Sequence, residues 1–294
     1  MKLLWKFNLL LIVVFGTGIA IAGHIAHQFL QQNAQAQVVQ QARLMMGAAG
    51  AMRTYTNKQV APLLVEHQRH VRRFLAQSVP AYGATEIFNY LRATYPAYTY
   101  KEATLNPTNL RDRAVDWESD VIETFRNNAT KSELIGQRDT PEGESLFLAH
   151  PLKVADPSCL QCHSTPGRAP AAMIAVYGKD HGFDWKAGET VGAQIVSVPM
   201  SLPVKIADHA FTTLMISLAA VALVTLILLD VGLVMIVIHP VTHLSALADE
   251  ISKGNLNVPQ IPAKGADEIS QLARSFNRMY LSLVKAIQML ESQQ

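Results

Sequence analysis

Residues 191–238 read VGAQIVSVPMSLPVKIADHAFTTLMISLAAVALVTLILLDVGLVMIVI. The opening run, Val191 to Val198, is rich in β-branched residues and has the length of a strand. It passes through Pro203 into Ala210 to Ile238, an apolar stretch broken only by Asp230 and a few hydroxyl residues. At about 1.5 Å per residue that stretch exceeds the roughly 30 Å hydrocarbon core of a bilayer, so it predicts a transmembrane helix. A strand of a folded domain is thus wired directly to a membrane span. Asp230 can be accommodated by a partner helix, by protonation or by a place near the headgroups. The length of the stretch favours the last of these.

A second apolar run, Phe7 to Gly23, follows Lys2 and Lys6 and ends at His24 and His27. Two readings exist for it: a retained anchor, or a cleaved signal peptide with Ala20-Ile21-Ala22 at the peptidase site. We take the anchor, because the run is long for a signal sequence and a helical pattern continues past it. Two spans place both ends of the chain on one side, and the lysines hold that side inside. The expected layout is a cytoplasmic N-terminus at 1–6, transmembrane helix 1 at 7–27 and a periplasmic domain at 28–208. Transmembrane helix 2 follows at 209–238, a cytoplasmic helical segment at 239–291 and a tail at 292–294. That layout describes a two-pass protein of a bacterial inner membrane. The 294 residues carry a net charge of +2, which points away from nucleic acid as a partner. The one basic cluster, Arg69 to Arg73, reads as a solvated helix face.

Between the spans the pattern is mixed. Residues 31–77 lack proline until Pro62 and read as a long helix, with Val38, Ala42, Met45, Ala49 and Met52 forming an apolar stripe that needs a partner surface. Beyond Pro80, helices are expected at Ala84 to Tyr95 and Ala114 to Asn127. Strands are expected at Tyr98 to Leu105, Ser145 to Val154 and Val191 to Val198. Turns fall at Asn106 to Asn109, at Thr140-Pro141-Glu142-Gly143 and at Lys186 to Gly188. Short strands interleaved with helices, without βαβ repeats, predict an α+β domain on an antiparallel sheet.

Both cysteines of the chain lie in Cys159-Leu160-Gln161-Cys162-His163. Cys-x-x-Cys-His is the attachment pattern of a c-type haem: the thiols add to the vinyl groups and the histidine binds iron. Zinc would need two further ligands at unusual spacings, such as His150 or His181. A redox-active dithiol would be expected near a βαβ pattern rather than in this Pro- and Ser-flanked loop. Export of residues 28–208 puts the motif where c-type haem is attached.

Several separated phrases carry a wider resemblance: Arg53 to Leu63 (RTYTNKQVAPL), Tyr100 to Asn109 (YKEATLNPTN), Asp116-Trp117-Glu118, the pentapeptide, and Gly182 to Glu189 (GFDWKAGE). Over about residues 35–200 the chain resembles the bacterial periplasmic c-type haem sensor domain family. The resemblance implies a PAS-like antiparallel sheet and a single covalent haem c as the sensing cofactor. By it, Cys159 and Cys162 carry the thioethers and His163 is the proximal iron ligand. The distal position is open among Met45, Met46, Met52, His67, His70, His150 and His181, or it is a vacant gas site. Met52 is placed first, because it ends the apolar stripe just before Arg53. Arg111 and Arg113 are candidates for pairing with propionates, or are exposed charges.

Past the second span, Val241, Leu244, Ala248 and Ile251 precede a stop at Gly254. Ile269, Leu272, Phe276, Met279, Leu283, Ala286 and Leu290 then repeat the same alternation of three and four. Two heptad helices around an extended connector resemble a HAMP domain, most clearly at Pro240, Asp267-Glu268-Ile269 and Phe276 to Met279. The charges mix signs, unlike the basic face of a helix lying on lipid. The resemblance implies a helical coiled coil between two copies of the chain, hence a homodimer. The expected function is a membrane-bound c-type haem sensor passing a redox or small-ligand signal across the membrane to an unidentified cytoplasmic partner. The rival is a membrane-anchored monohaem cytochrome c for electron transfer. No acid-base constellation points to an enzyme.

Overall fold

The computed structural model describes residues 3–71, 73–141, 143–262 and 265–291. Met1 and Lys2 of the expected N-terminal segment, Arg72 of the basic cluster, Glu142 of the expected turn and the tail at 292–294 lie outside the described residues. The chain divides into two compact units, Ala26–Phe211 and Met1–Ile25 with Thr212–Gln294.

The first unit begins within α1 (Leu3–Tyr55). The long helix expected over 31–77 runs only to Val71, and a π turn at Thr56–Val60 separates α1 from α2 (Ala61–Val71) within it. The cause is Pro62: its ring clashes with the carbonyl four residues back and cannot donate to it, and the wider turn relieves that clash. Then follow α3 (Pro80–Arg92), with its proline at the helix start, β1 (Thr99–Thr104) and α4 (Asp116–Asn127). At the head of α4 the Glu118 carboxylate accepts a hydrogen bond from the Val115 N–H at 3.0 Å, satisfying a donor the helix cannot. Next come β2 (Leu134–Thr140), β3 (Gly143–Lys153), α5 (Cys159–His163), α6 (Ala171–Tyr177) and β4 (Thr190–Pro199).

The four strands form one antiparallel sheet in the order β1-β4-β3-β2. Both faces are covered. On one, Val38, Ala42, Met46 and Ala49 of α1 and Phe88 of α3 pack on Tyr100, Leu146, Leu148, Val196 and Val198. On the other, Val121, Ile122 and Phe125 of α4 pack on Ala103, Ala149, Ala193 and Ile195. β4 therefore has no solvent face, which explains an apolar run without polar alternation. In the α1 stripe Met46 is buried while Met45 lies at its edge. Small residues at 42 and 49 let the helix approach the sheet closely.

The second unit holds the start of α1 together with the part of α7 (Ser201–Gly232) from Thr212 onward, a π turn at Leu233–Ile238, α8 (His239–Ser252) and α9 (Glu268–Glu291). Among the described residues, two helices, α1 and α7, are long and apolar enough to cross a membrane. Their apolar side chains are largely exposed, Leu10, Ile12, Leu223 and Leu228 among them, as lipid contact requires. Asp230 has a partner, since its carboxylate accepts a hydrogen bond from the Asn8 amide of α1 at 3.1 Å. Gly254 ends α8 with φ of +91°, a conformation suited to glycine. The connector then lies along α9, where the Asn277 amide bonds the Ile261 carbonyl at 2.9 Å and the Tyr280 hydroxyl bonds that of Leu256 at 2.7 Å. Asp267 caps α9 by accepting from the Ser270 N–H at 2.7 Å.

Gly192 of β4 sits where a Cβ would collide with the Ala103 carbonyl oxygen across the ladder. Gly192→Ala should therefore destabilise the sheet by about 1–3 kcal/mol, read from the urea midpoint of the full chain in detergent.

Candidate functional site

The Cys159–His163 helix is nucleated by a turn. Asp156 accepts from the Ser158 N–H at 2.8 Å through its side chain and from the Cys159 N–H at 3.0 Å through its carbonyl. One helical turn puts Cys159 and Cys162, three apart, on a shared face. Both thiols are free and half-buried, and burial pushes the Cys162 thiol above its ordinary pKa.

His163 is the most constrained member. Its Nδ1 lies 2.8 Å from the Gly182 carbonyl oxygen, with Thr108 Oγ1 at 3.4 Å. A carbonyl only accepts, so Nδ1 carries the proton and Nε2 keeps its lone pair. The Trp185 ring stacks on the imidazole, with centroids 4.0 Å apart and planes 10° from parallel. Burial lowers the pKa of His163, opposed by the Gly182 bond, so the ring is neutral at neutral pH.

The loop that holds this ring is itself fastened. Asn106 accepts from the Gly182 N–H at 3.2 Å and donates to the Phe183 carbonyl at 3.4 Å. The Asp184 and Trp185 N–H groups return to the Ser164 and His163 carbonyls at 3.0 and 3.2 Å. Gly182 has φ of +82°, and a Cβ there would run into Thr108, so the close approach needs glycine.

β1 itself carries part of a largely buried polar network. Arg53, in the last turn of α1, bonds both oxygens of the Glu102 carboxylate at 2.5 Å. The Tyr100 hydroxyl donates to Glu102 at 2.7 Å, and the Gln194 amide donates to that hydroxyl at 3.3 Å. Burial and the neighbouring carboxylate push the Tyr100 pKa far up.

The other candidates are dispersed. Met52 is half-buried and directs its methyl toward Gly83 of α3. Met46 belongs to the core with Met45 beside it, His67 and His70 are exposed on α2, and His150 on β3 lies 3.4 Å from Glu133. His181 is half-buried next to Gly182. Arg111 pairs with Glu86 at 2.8 Å and Asp112 at 3.5 Å, while Arg113 is exposed. No three His, Cys, Asp or Glu side chains among the described residues converge to cage a metal ion. Asn106, Thr108, Gly182 and Trp185 acquire roles that sequence reasoning missed. In the sequence they stand out only as members of the phrases that carry the family resemblance, and Asn106 and Thr108 there have the character of turn residues.

A family model described as Tll0287-like matches residues 31–199, more than half of the chain. The chain belongs to the Tll0287-like family. A HAMP domain model matches residues 232–285, so the Tll0287-like domain is followed by a HAMP domain. Among solved structures, the crystal structure of the cyanobacterial haem protein Tll0287 is similar at 16% identity. The match covers 57% of this chain and 94% of that one, with a TM-score of 0.35. No curated protein matches. A Tll0287-like domain, two apolar helices and a HAMP domain make this a membrane-associated signal-transducing protein.

Two outcomes follow from the site. Nitrogen-15 NMR of the metal-free protein should show His163 neutral at pH 7 with its proton on Nδ1. Burial holds the Asp112 carboxyl at about 6, against 3.8 ordinarily. A carboxyl raised on folding binds extra protons in the folded state, so its contribution worsens as pH rises from about 4 to 6. Asp112→Asn should stabilise the protein by about 1–2 kcal/mol at pH 7.5 and by little at pH 4, measured by urea unfolding.

Proposed function

We propose that the first unit carries one covalent haem c in the periplasm and that the protein is a dimeric haem sensor signalling through its HAMP domain. The observation that carries this reading is the 2.8 Å bond from His163 Nδ1 to the Gly182 carbonyl within a Cys-x-x-Cys-His motif. Histidines that bind metals habitually donate their second ring nitrogen to a carbonyl or carboxylate, which fixes the tautomer and orients the ring. Here that bond, the Trp185 stack and the Asn106 fastening of the loop leave Nε2 as the available ligand atom.

The residues suit the group. Cys159 and Cys162 would hold the thioethers, His163 the proximal iron bond and, from α1, Met52 the distal one. The family relationship supports the cofactor, since the solved relative is described as a haem protein. Bound haem supplies an iron that changes oxidation state or takes a small ligand. Asn106 and Gly182 position the imidazole, and Trp185 shields one of its faces from water.

The route outward follows chain connectivity. β4 ends at Pro199 and α7 starts at Ser201, so a displacement of the sheet reaches the second apolar helix with almost no slack. In α9, Leu272, Met279, Leu283 and Leu290 are 42–66% exposed in a single chain, and an apolar seam of this kind is covered in a dimer. A signal biases such a bundle only by its difference in interaction energy between two bundle states.

The test is twofold. The purified protein should show a reduced pyridine haemochrome spectrum of the thioether type that survives acid–acetone extraction, lost in Cys159→Ser/Cys162→Ser. With Met279→Cys in α9, crosslinking by a redox-inert bis-maleimide, added after excess reagent is removed, should proceed at different rates in ferricyanide-oxidised and dithionite-reduced protein. Extractable haem would overturn the covalent assignment, and equal crosslinking rates would overturn the sensor reading in favour of a simple electron carrier.

A further inference from the structure

We propose that the ion pair of half-buried Arg53 with buried Glu102 sets the midpoint potential of the haem, acting as two opposed charges near its attachment site. The inference rests on the haem reading above.

The pair is unusual for its place. Glu102 is 4% exposed, and a carboxylate so buried loses far more hydration than a surface ion pair does. Leu146, Leu148, Val196 and Val198 already give this face an apolar core, so packing alone does not call for ions there. Every part of the carboxylate is nonetheless provided for, with Arg53 on both oxygens, Tyr100 on one and Gln194 behind Tyr100.

Its position is fixed from two directions. β1 carries Glu102 and continues to Asn106 and Thr108, which fasten Gly182 and approach His163. Glu102 stands four residues before Asn106, so the two lie no more than about 14 Å apart along the chain. Arg53, from α1, lies close enough to Cys159 for a thiolate there to raise its pKa. Cys159, Cys162 and His163 would hold the group, and this chain of contacts would bring the charges of the pair within electrostatic reach of it.

The charges of the pair act in opposite senses. Reduction adds one electron to the iron, from ferric to ferrous, supplied in a titration by dithionite through a mediator. An uncompensated Arg53 cation favours that added negative charge, and an uncompensated Glu102 anion opposes it. In a partly buried site, charges about 10 Å apart still interact by more than thermal energy. Each single removal should therefore change the ferric-to-ferrous ratio at fixed potential by about tenfold, equivalent to ~59 mV for one electron.

The experiment is a spectroelectrochemical titration of the full-length holoprotein in detergent. Glu102→Gln, which keeps the side-chain shape, should raise the midpoint and Arg53→Gln should lower it. Arg53→Lys and Tyr100→Phe, which preserve both charges, should shift it by less than half as much. Shifts of the two Gln variants in the same direction would show a merely structural role, through altered packing or water entry, and would overturn the proposal. So would shifts below threefold in the ratio. Circular dichroism melts of the same samples show that each variant is folded. Absence of covalent haem in the wild-type protein would instead overturn the cofactor reading and this inference with it, whereas a haem-loaded protein with the wrong signs overturns this inference alone.

Discussion

The first unit depends on β4 being buried on both faces. It hydrogen-bonds β1 on one side and β3 on the other, and its alternate side chains enter two separate cores. A strand in that position cannot shift its register without exchanging the contents of the two cores. It is therefore a stiff element, and it is the one whose C-terminus leads straight into α7. The same sheet brings the end of β1 to the loop at 182–185, so one ladder serves both the candidate site and the exit.

The site has the layered construction typical of metal-binding histidines. The ligand candidate is held by a backbone carbonyl, that carbonyl by a glycine whose φ is positive, and that glycine by Asn106. Each layer removes a degree of freedom from the imidazole before any metal binds. Polar groups buried at this density carry desolvation costs that an apolar core would not. Their retention here, in a domain with ample apolar packing, is a mark of chemistry more than of stability.

Much of this was legible in the sequence, and what was not had local causes. Of the four strands, β1, β3 and β4 were visible through β-branched and apolar residues, and α3 and α4 appeared within a few residues of their bounds. β2 escaped because Leu134 to Thr140 (LIGQRDT) is polar at the sheet edge, where only pairing with β3 holds it. The π turn between α1 and α2 escaped because Pro62 acts on a turn upstream of itself. Cys159, Cys162 and His163 are candidates from their spacing alone, while the groups that hold them are not visible in it. The Gly182 carbonyl is a backbone atom, and its alignment with His163 depends on a loop 19 residues away. The Arg53–Glu102 pair joins residues 49 apart, beyond the reach of any periodicity.

The two π turns share a feature of sequence. Each is followed at once by a residue and then a proline, Ala61-Pro62 after Thr56–Val60 and His239-Pro240 after Leu233–Ile238. A π turn places one extra residue in a helical rod, and in an α-helix one residue corresponds to about 100° of azimuth. Everything beyond it is clocked to a new angle while the axis continues. In α8 this means that the stripe led by Leu244 is set by the turn before His239 as much as by the phase of α7. The prolines thus act as angular spacers, fixing which way each downstream helix faces without interrupting the rod that carries it.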